Sequence, residues 1–103
     1  MYILYITNPS KEEALKISHI LLDEGLIACA NIFDNITSVY KWENEIKEDT
    51  EVILITKTSD SNVDKIKDRV KDLHSYECPC IAAIRVDDCN ADFLKWVEGR
   101  CGA

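Results

Sequence analysis

The order in which two hydrophobic periodicities follow one another is the feature that most constrains the fold of this chain. Short runs that are apolar, or in which apolar and polar residues alternate, are typical of β-strands. Along this chain they are followed in turn by segments whose apolar residues recur every three or four positions, as in amphipathic helices. The order is β-α-β-β-α-β-α within 103 residues. Two β-α-β units with right-handed crossovers, joined by a hairpin, form one antiparallel sheet with two helices on a single face. We therefore expect an α+β, ferredoxin-like βαββαβ sandwich with an additional C-terminal helix, built as one domain over residues 1–103.

The N-terminal part of the chain predicts a strand followed by a helix. The β-branched and aromatic run at residues 2–7 is typical of a strand. Ser10 and Glu13 have the spacing of a capping box, in which each side chain bonds the other residue's backbone amide. The first helix is therefore expected over about residues 10–24, with Gly25 ending it.

A long hairpin is expected next. An apolar strand begins at residues 26–32, has a bulge or bend at Asp34 and Asn35, and continues through residues 37–42. After a turn, residues 46–58 return as the third strand. The two strands overhang the compact sheet, so their edges carry unpaired backbone groups. We expect those edges to pair with another copy of the chain.

The C-terminal part predicts a helix, a strand and a last helix. Ser59, Asp60, Ser61 and Asn62 provide capping candidates for the second helix, whose apolar face is formed by Val63, Ile66, Val70 and Leu73. Residues 78–86 are expected as the fourth strand. Asn90 is expected to cap the last helix, which Gly99 or Gly102 would end.

Composition and charge exclude several classes of function. The net charge is −7 and no run of Lys or Arg occurs, so neither nucleic acid nor an anionic membrane is expected as a partner. No segment has the basic flank and apolar core of a leader peptide or the length of a membrane span. Five cysteines cannot form a complete set of intrachain disulfides. We expect a cytoplasmic protein.

Residues 74–80 contain the densest cluster of reactive side chains. Cys78 and Cys80 are two residues apart, and His74 lies four residues before Cys78, across the expected turn. Thiolate and imidazole are natural ligands of copper and zinc, so these three residues are one candidate metal site. The spacing is not that of a zinc finger, however. The alternative is that both cysteines are small buried groups and that His74 is a hydrogen-bonding loop residue.

Other candidate residues lie on the hairpin strands. Ser38, Tyr40 and Trp42 share one strand face. The two aromatic residues are either core residues or interface anchors, and the position of Trp42 near the hairpin tip favours the interface. Cys29 either fills the core or lies at a pocket or subunit junction. Lys57 is either an anion ligand or an ordinary surface lysine. The acidic run at residues 43–51 is expected to be a solvated turn.

Catalytic patterns are missing from the sequence. It contains no nucleophile elbow, P-loop or dinucleotide-binding fingerprint, and it has two histidines. Position alone suggests no set of nucleophile, base and orienting residue. A binding or regulatory protein is therefore expected rather than an enzyme.

Six blocks of the sequence, in order, resemble the CutA (divalent-cation-tolerance) family. Their elements Cys-x-Asn-Ile, Ser-x-Tyr-x-Trp and His-x-Tyr-Glu-x-Pro are jointly specific. The blocks cover most of the chain and lie at residues 25–32, 37–43, 48–52, 57–58, 74–79 and 93–97.

The resemblance implies a ferredoxin-like subunit in a homotrimer, similar in architecture to the PII signalling proteins. It implies a role in tolerance or response to divalent metals, with no required cofactor and with copper or another divalent metal ion as a ligand. The implied cleft between subunits is lined or supported by Cys29, Tyr40, Trp42, Lys57, His74, Tyr76 and Glu77. The alternative is a small-molecule-sensing module of the PII or ACT kind.

This chain departs from the copper-binding members of the family. Those members have a thiol near the end of the first strand and a second histidine beside the first, where Ile6 and Leu73 occur here. Ser75 takes the place of a usual proline. Cys78 and Cys80 are the candidate replacement thiols.

Overall fold

The fold is that of a computed structural model that describes residues 1–101. Its sheet has the order β2-β3-β1-β4, and every neighbouring pair is antiparallel. The predicted α+β, ferredoxin-like arrangement with a long hairpin and an additional helix is confirmed. The elements are β1 (Tyr2–Asn8), α1 (Lys11–Asp23), β2 (Cys29–Trp42), β3 (Glu45–Thr58), a 3₁₀ turn (Asp60–Asn62), α2 (Val63–Leu73), β4 (Ile81–Arg85) and α3 (Ala91–Arg100).

The core lies between the sheet and helices α1 and α2. Alternate residues of β1 and β3 point to this side, so Leu4 and Ile6 of β1 are fully buried, as is Leu54 of β3. From α1 and α2 the fully buried residues include Ile17, Leu21, Ile66 and Val70. Each such aliphatic side chain contributes roughly 1.5–3 kcal/mol by leaving water. The other side of the sheet carries no layer from α1 or α2.

The start of α1 confirms half of the predicted capping box. The Ser10 hydroxyl accepts a hydrogen bond from the Glu13 amide at 3.1 Å. The reciprocal bond to the Ser10 amide was predicted wrongly, because the Glu13 carboxylate accepts from the Ser75 amide at 3.3 Å instead. Glu13 therefore connects the start of α1 to the loop after α2.

The end of α1 explains why β2 begins later than predicted. Gly25 has a φ of 71°, and the Leu26 amide donates back to the Leu21 carbonyl at 2.9 Å, as in a Schellman motif. The Leu26 carbonyl accepts from the Thr58 hydroxyl at 2.6 Å and from the Asn62 side chain at 3.2 Å. Leu26 thus belongs to the helix end, and Asn62 uses its amide there rather than as a cap.

The β2–β3 hairpin has the irregularities that its sequence predicts. A register shift between Phe33 and Ile36 marks a bulge, with Asn35 at a φ of 62°. At the tip, Glu43 and Asn44 have φ values of 48° and 67°. Positive φ at both central residues is typical of a type I′ turn, which matches the twist of the two strands.

The outer part of this hairpin extends beyond the sheet. β1 pairs with β3 only as far as Asn8 opposite Val52. Residues 36–51 therefore form a two-stranded segment without a third strand, which we call the ribbon. It contributes to the elongated shape of the molecule, whose extents are 45 × 26 × 21 Å.

The C-terminal part corrects three expectations. β4 is shorter than predicted because residues 78–80 are irregular, and Pro79 has no amide hydrogen for a sheet. Asn90 occupies the N-cap position of α3 without a side-chain cap bond. Gly99 lies inside α3 rather than ending it, and Gly102 lies outside the described residues. In the described part, no helix is long and apolar enough to cross a membrane.

Candidate ligand site at the base of the ribbon

A cavity of about 650 Å³ lies between the ribbon and the loop that joins α2 to β4. We call this loop, residues 74–80, the connector. The volume is in the range of small-molecule sites in proteins. The cavity is lined by Tyr40, Trp42, Lys47, Asp49, Glu51, Tyr76, Glu77 and Cys78.

The register of the ribbon brings its lining residues together. Tyr40 lies opposite Lys47, and Ser38 lies opposite Asp49. Residues opposite one another in an antiparallel pair project to the same face, as do residues two apart on one strand. Alternate residues of both strands consequently form one wall, which also includes Trp42. The prediction that Ser38, Tyr40 and Trp42 share a face is confirmed.

Two tyrosine–carboxylate hydrogen bonds organise this wall. The Tyr40 hydroxyl donates to Asp49, and the Tyr76 hydroxyl donates to Glu51 Oε2 at 2.7 Å. The second bond crosses from the connector to the ribbon. Burial, reinforced by the bond to Glu51, raises the pKa of Tyr76 well above its ordinary value. The bond to Asp49 likewise raises the pKa of Tyr40. Both hydroxyls therefore remain donors over a wider pH range.

The charges around the cavity favour a cation. Asp49, Glu51 and Glu77 line it with carboxylates, whereas Lys47 is the one lysine among its lining residues. The Cys78 thiol of the connector adds a sulfur donor to the same cavity. Oxygen and sulfur donors of this kind suit divalent and soft metal ions.

His74 lies at the start of the connector and acts as a positioning residue. Its side chain is fully buried. Its Nε2 is 2.7 Å from the Thr7 carbonyl, and its Nδ1 accepts from the Tyr76 amide at 3.0 Å. Since Nδ1 accepts, Nε2 carries the proton and donates to Thr7. This agrees with the interpretation of His74 as a hydrogen-bonding loop residue, because it fixes Tyr76 beside the cavity.

The two thiols of the connector are both exposed. The interpretation of Cys78 and Cys80 as small buried groups was therefore wrong. Only Cys78 lines the cavity. Within residues 1–101, no group of three or more His, Cys, Asp or Glu side chains is arranged to hold a metal ion. The metal site of His74, Cys78 and Cys80 stays a prediction.

Cys29 and Lys57 lie at the other end of the sheet. They are opposite one another in the β2–β3 pair. The Lys57 ammonium donates to Asn31 Oδ1 at 2.5 Å and lies 5.9 Å from the centre of the Phe93 ring. Lys57 is six residues along β3 from Glu51, a separation of roughly 20 Å. The structure thus brings Tyr40, Trp42, Tyr76 and Glu77 together and leaves Cys29 and Lys57 apart from them.

Sequence reasoning missed the ribbon carboxylates. Asp49 and Glu51 were assigned to a solvated turn, but both bond tyrosines at the cavity. The available signal was their two-residue spacing in a strand paired with the strand of Tyr40. To place these carboxylates beside Tyr40 one must know the register of the hairpin, and the bulge between Phe33 and Ile36 shifts that register.

Comparison with known proteins identifies relatives over almost the whole chain. The family described as CutA1 divalent ion tolerance protein matches residues 2–100. The divalent-cation tolerance protein CutA of Pyrococcus horikoshii is 46% identical over 97 residues, which cover 94% of each chain. Human protein CutA is 36% identical over 94 residues, which cover 91% of this chain and 52% of the human protein.

Solved structures of such proteins have the same fold. CutA1 from Ehrlichia chaffeensis superposes with a TM-score of 0.95 at 43% identity, covering 99% of this chain and 95% of that one. A protein from Archaeoglobus fulgidus, described as a periplasmic divalent cation tolerance protein CutA, superposes with a TM-score of 0.94 at 41% identity. The match covers 99% of this chain and 100% of that one.

Proposed function

The chain belongs to the CutA1 family of divalent ion tolerance proteins, and from that premise we propose that it is a homotrimeric protein that binds divalent metal ions, including copper. We propose that it acts in metal tolerance by binding rather than by catalysis. The observation that carries the proposal is the cavity at the base of the ribbon, where the carboxylates of Asp49, Glu51 and Glu77 and the thiol of Cys78 face one volume.

The donors of the cavity suit metal ions of different softness. Carboxylate oxygens are the ligands of hard divalent ions, and thiolates select copper and zinc. Within the described residues of one chain, these side chains do not form a group of three that could hold a metal ion. We therefore propose that a second copy of the chain supplies the remaining ligands and that the metal site lies between subunits.

Exposed apolar side chains support the trimer. The side of the sheet away from α1 and α2, which we call the open face, includes Phe33 and Ile84, each 53% exposed. On the ribbon, Trp42 is 58% exposed and Ile46 is 78% exposed. Subunit contacts on the open face and the ribbon would remove these apolar side chains from water. The unpaired edges of the ribbon offer backbone groups to a neighbouring strand as well.

The trimer also accounts for the two separated groups of predicted cleft residues. In one chain, Cys29 and Lys57 are remote from Tyr40 and Trp42. If the ribbon of one subunit docks along the sheet of the next, the two groups lie on opposite walls of one cleft between subunits. The cavity of one chain is then half of that cleft.

We propose the cytoplasm as the working compartment. All five cysteines are free, and Cys78 and Cys80 are exposed. Exposed unpaired thiols persist in a reducing compartment and become oxidised outside it.

The test combines mass determination with metal titration. Light scattering of the purified protein should give three times the 11.7 kDa chain mass. Titration calorimetry with zinc and with copper(II) should then show binding that falls at least tenfold in an Asp49→Asn/Glu51→Gln variant. Glu48→Gln is the matched control, because Glu48 lies on the opposite face of the ribbon. Equal affinities in all three proteins would contradict the cavity as the metal site.

The connector thiols are tested separately. A Cys78→Ser/Cys80→Ser variant should lose copper(I) affinity, while Cys89→Ser, in the loop before α3, should bind as the wild type does. A chain mass of 11.7 kDa in a folded sample would contradict the trimer.

A further inference from the structure

Cys78 and Cys80 have a combination of exposure and spacing that the other cysteines lack. Both are exposed, whereas Cys29 and Cys89 are half-buried and Cys101 is fully buried. They flank Pro79 in the irregular part of the connector, before β4 begins at Ile81. Their backbone is consequently not held by the ladder of the sheet.

We propose that Cys78 and Cys80 form a redox-active pair that closes reversibly to an intrachain disulfide by exchange with a low-molecular-weight disulfide. The inference depends on the exposure and spacing of these two thiols and not on the proposed metal role. Because Cys78 lines the cavity, closure of the pair alters the cavity wall.

The backbone geometry is compatible with closure. Two residues apart in an extended chain are separated by about 6.6 Å between Cα atoms, near the upper limit of about 6.8 Å for a disulfide. Cys78 and Cys80 precede β4 and take no part in its pairing with β1, so the backbone between them can shorten this separation without breaking a sheet hydrogen bond.

The exchange balances without any additional reactant. The thiolate of one cysteine attacks a sulfur of the small disulfide, whose S–S bond breaks as a mixed disulfide forms, and the first small thiol leaves. The thiolate of the second cysteine then attacks the protein sulfur of the mixed disulfide and expels the second small thiol. The protein dithiol loses two electrons and two protons, and one small disulfide becomes two thiols.

Closure has a consequence for the ligand site. It draws the Cys78 sulfur towards Cys80, which lies outside the cavity lining. The same step removes a thiolate that could ligate a soft metal ion. Tyr76 and Glu77 directly precede Cys78 in the connector and also line the cavity, so their positions change with that of Cys78. Trp42, on the facing ribbon, is a natural reporter of that change.

The first experiment measures the covalent product by intact-mass spectrometry under denaturing conditions. The full chain carries Cys29→Ser and Cys89→Ser, so that Cys78 and Cys80 are its only exposed thiols, and it is incubated with glutathione disulfide. The expected product has lost two hydrogen atoms, carries no glutathione and reverts with dithiothreitol. Peptide mapping should place the bond between Cys78 and Cys80.

Single variants in the same background test the pairing. Cys78→Ser and Cys80→Ser should each retain one glutathione, because the remaining second thiol, Cys101, is buried and cannot expel it. The proposal is overturned if the protein that retains both Cys78 and Cys80 keeps stable glutathione adducts, stays reduced, or forms a disulfide between two chains. Circular dichroism establishes that the serine variants are folded.

A second measurement tests the link to the cavity. In a Trp96→Phe protein, Trp42 is the only tryptophan. Its fluorescence should change when the pair closes and return on reduction, whereas a Cys78→Ser/Cys80→Ser protein should show no change. Closure with unaltered Trp42 fluorescence would overturn the effect on the cavity, and the metal titrations above would be unaffected by that result.

Discussion

At the scale of single residues, His74 shows how a reactive side chain can serve position rather than chemistry. Its Nε2 bonds the Thr7 carbonyl at the end of β1, and its Nδ1 accepts from the Tyr76 amide. A metal ion could bind either nitrogen only after one of these bonds was broken. Its buried ring therefore stabilises the connector, which in turn fixes the Tyr76 hydroxyl on Glu51.

Substitutions of His74 can separate its two hydrogen bonds. His74→Ala removes both bonds and a buried ring, so we expect a loss of about 2–4 kcal/mol in the free energy of unfolding. Gln can retain a donor near the Nε2 position and Asn an acceptor near the Nδ1 position, so each should lose less. Urea unfolding of the four proteins measures the differences. Equal stability of His74→Ala and the wild type would contradict the positioning role.

Tyr76 predicts a pH dependence of stability at high pH. Its pKa is raised in the folded protein from the ordinary value of 10.0. The contribution of the Tyr76 hydroxyl to stability is fully present below pH 10, because the hydroxyl is then protonated in both the folded and the unfolded protein. Above that pH the unfolded chain loses the proton more readily, so stability falls as pH rises towards the folded pKa.

The measurement compares Tyr76→Phe with the wild type. At neutral pH the variant should lose about 1 kcal/mol, a modest figure because the site is only partly buried. Between pH about 9 and about 11 the wild type should lose more stability than the variant does. Tyr5→Phe, which removes a tyrosine from the open face, is the control. Parallel pH profiles for Tyr76→Phe and the wild type would contradict the raised pKa.

The residue scale is also where the sequence was least informative. Tyr40 and Trp42 were recognised as a pair because they alternate along one strand. Asp49 and Glu51 look like surface acids until the register places Asp49 opposite Ser38 and beside the Tyr40 hydroxyl. The burial of His74 was unpredictable for a similar reason, since its partner Thr7 is 67 residues away.

At the scale of secondary-structure elements, two glycines provide opposite tests of one substitution. Gly25 ends α1 at a φ of 71°, where a side chain is strained. Gly99 lies within α3, where an added Cβ would have no atom within 4 Å. We expect Gly25→Ala to destabilise the protein by about 1–2 kcal/mol and Gly99→Ala to stabilise it by about 0.5–1 kcal/mol. Thermal unfolding measures both, and equal signs would contradict the assignment of the helix end.

Element types followed from the sequence more reliably than element boundaries. Residues 2–7 and the apolar centre of β3 have the β-branched composition of strands, and α2 has a clear helical period. The boundaries depended on contacts between distant segments. Leu26 was predicted in β2 but lies outside it, because its carbonyl accepts hydrogen bonds from Thr58 and Asn62. Residues 78–80 were predicted in β4 but belong to the connector.

At the scale of the whole molecule, the open face and the ribbon both expose large apolar side chains to solvent. Phe33 and Ile84 expose apolar area on the sheet, and Trp42 and Ile46 expose it on the ribbon. The alternation in sequence predicted an overhanging hairpin but not the apolar sheet surface beside it. That surface becomes evident only when the strand order places β2 and β4 at opposite edges.

Charge substitutions on these two surfaces test the assembly. A buried unpaired carboxylate costs several kcal/mol, so Ile84→Glu on the open face and Ile46→Glu on the ribbon should each abolish the three-chain mass in light scattering. Leu15→Glu is the matched control, because Leu15 is 41% exposed on the outer side of α1 and has no assigned partner. If both test variants keep the mass of the wild type, neither surface joins the subunits. If only Ile46→Glu dissociates, the ribbon joins subunits through contacts that do not include Ile84, and the cleft between subunits must be placed elsewhere on the sheet.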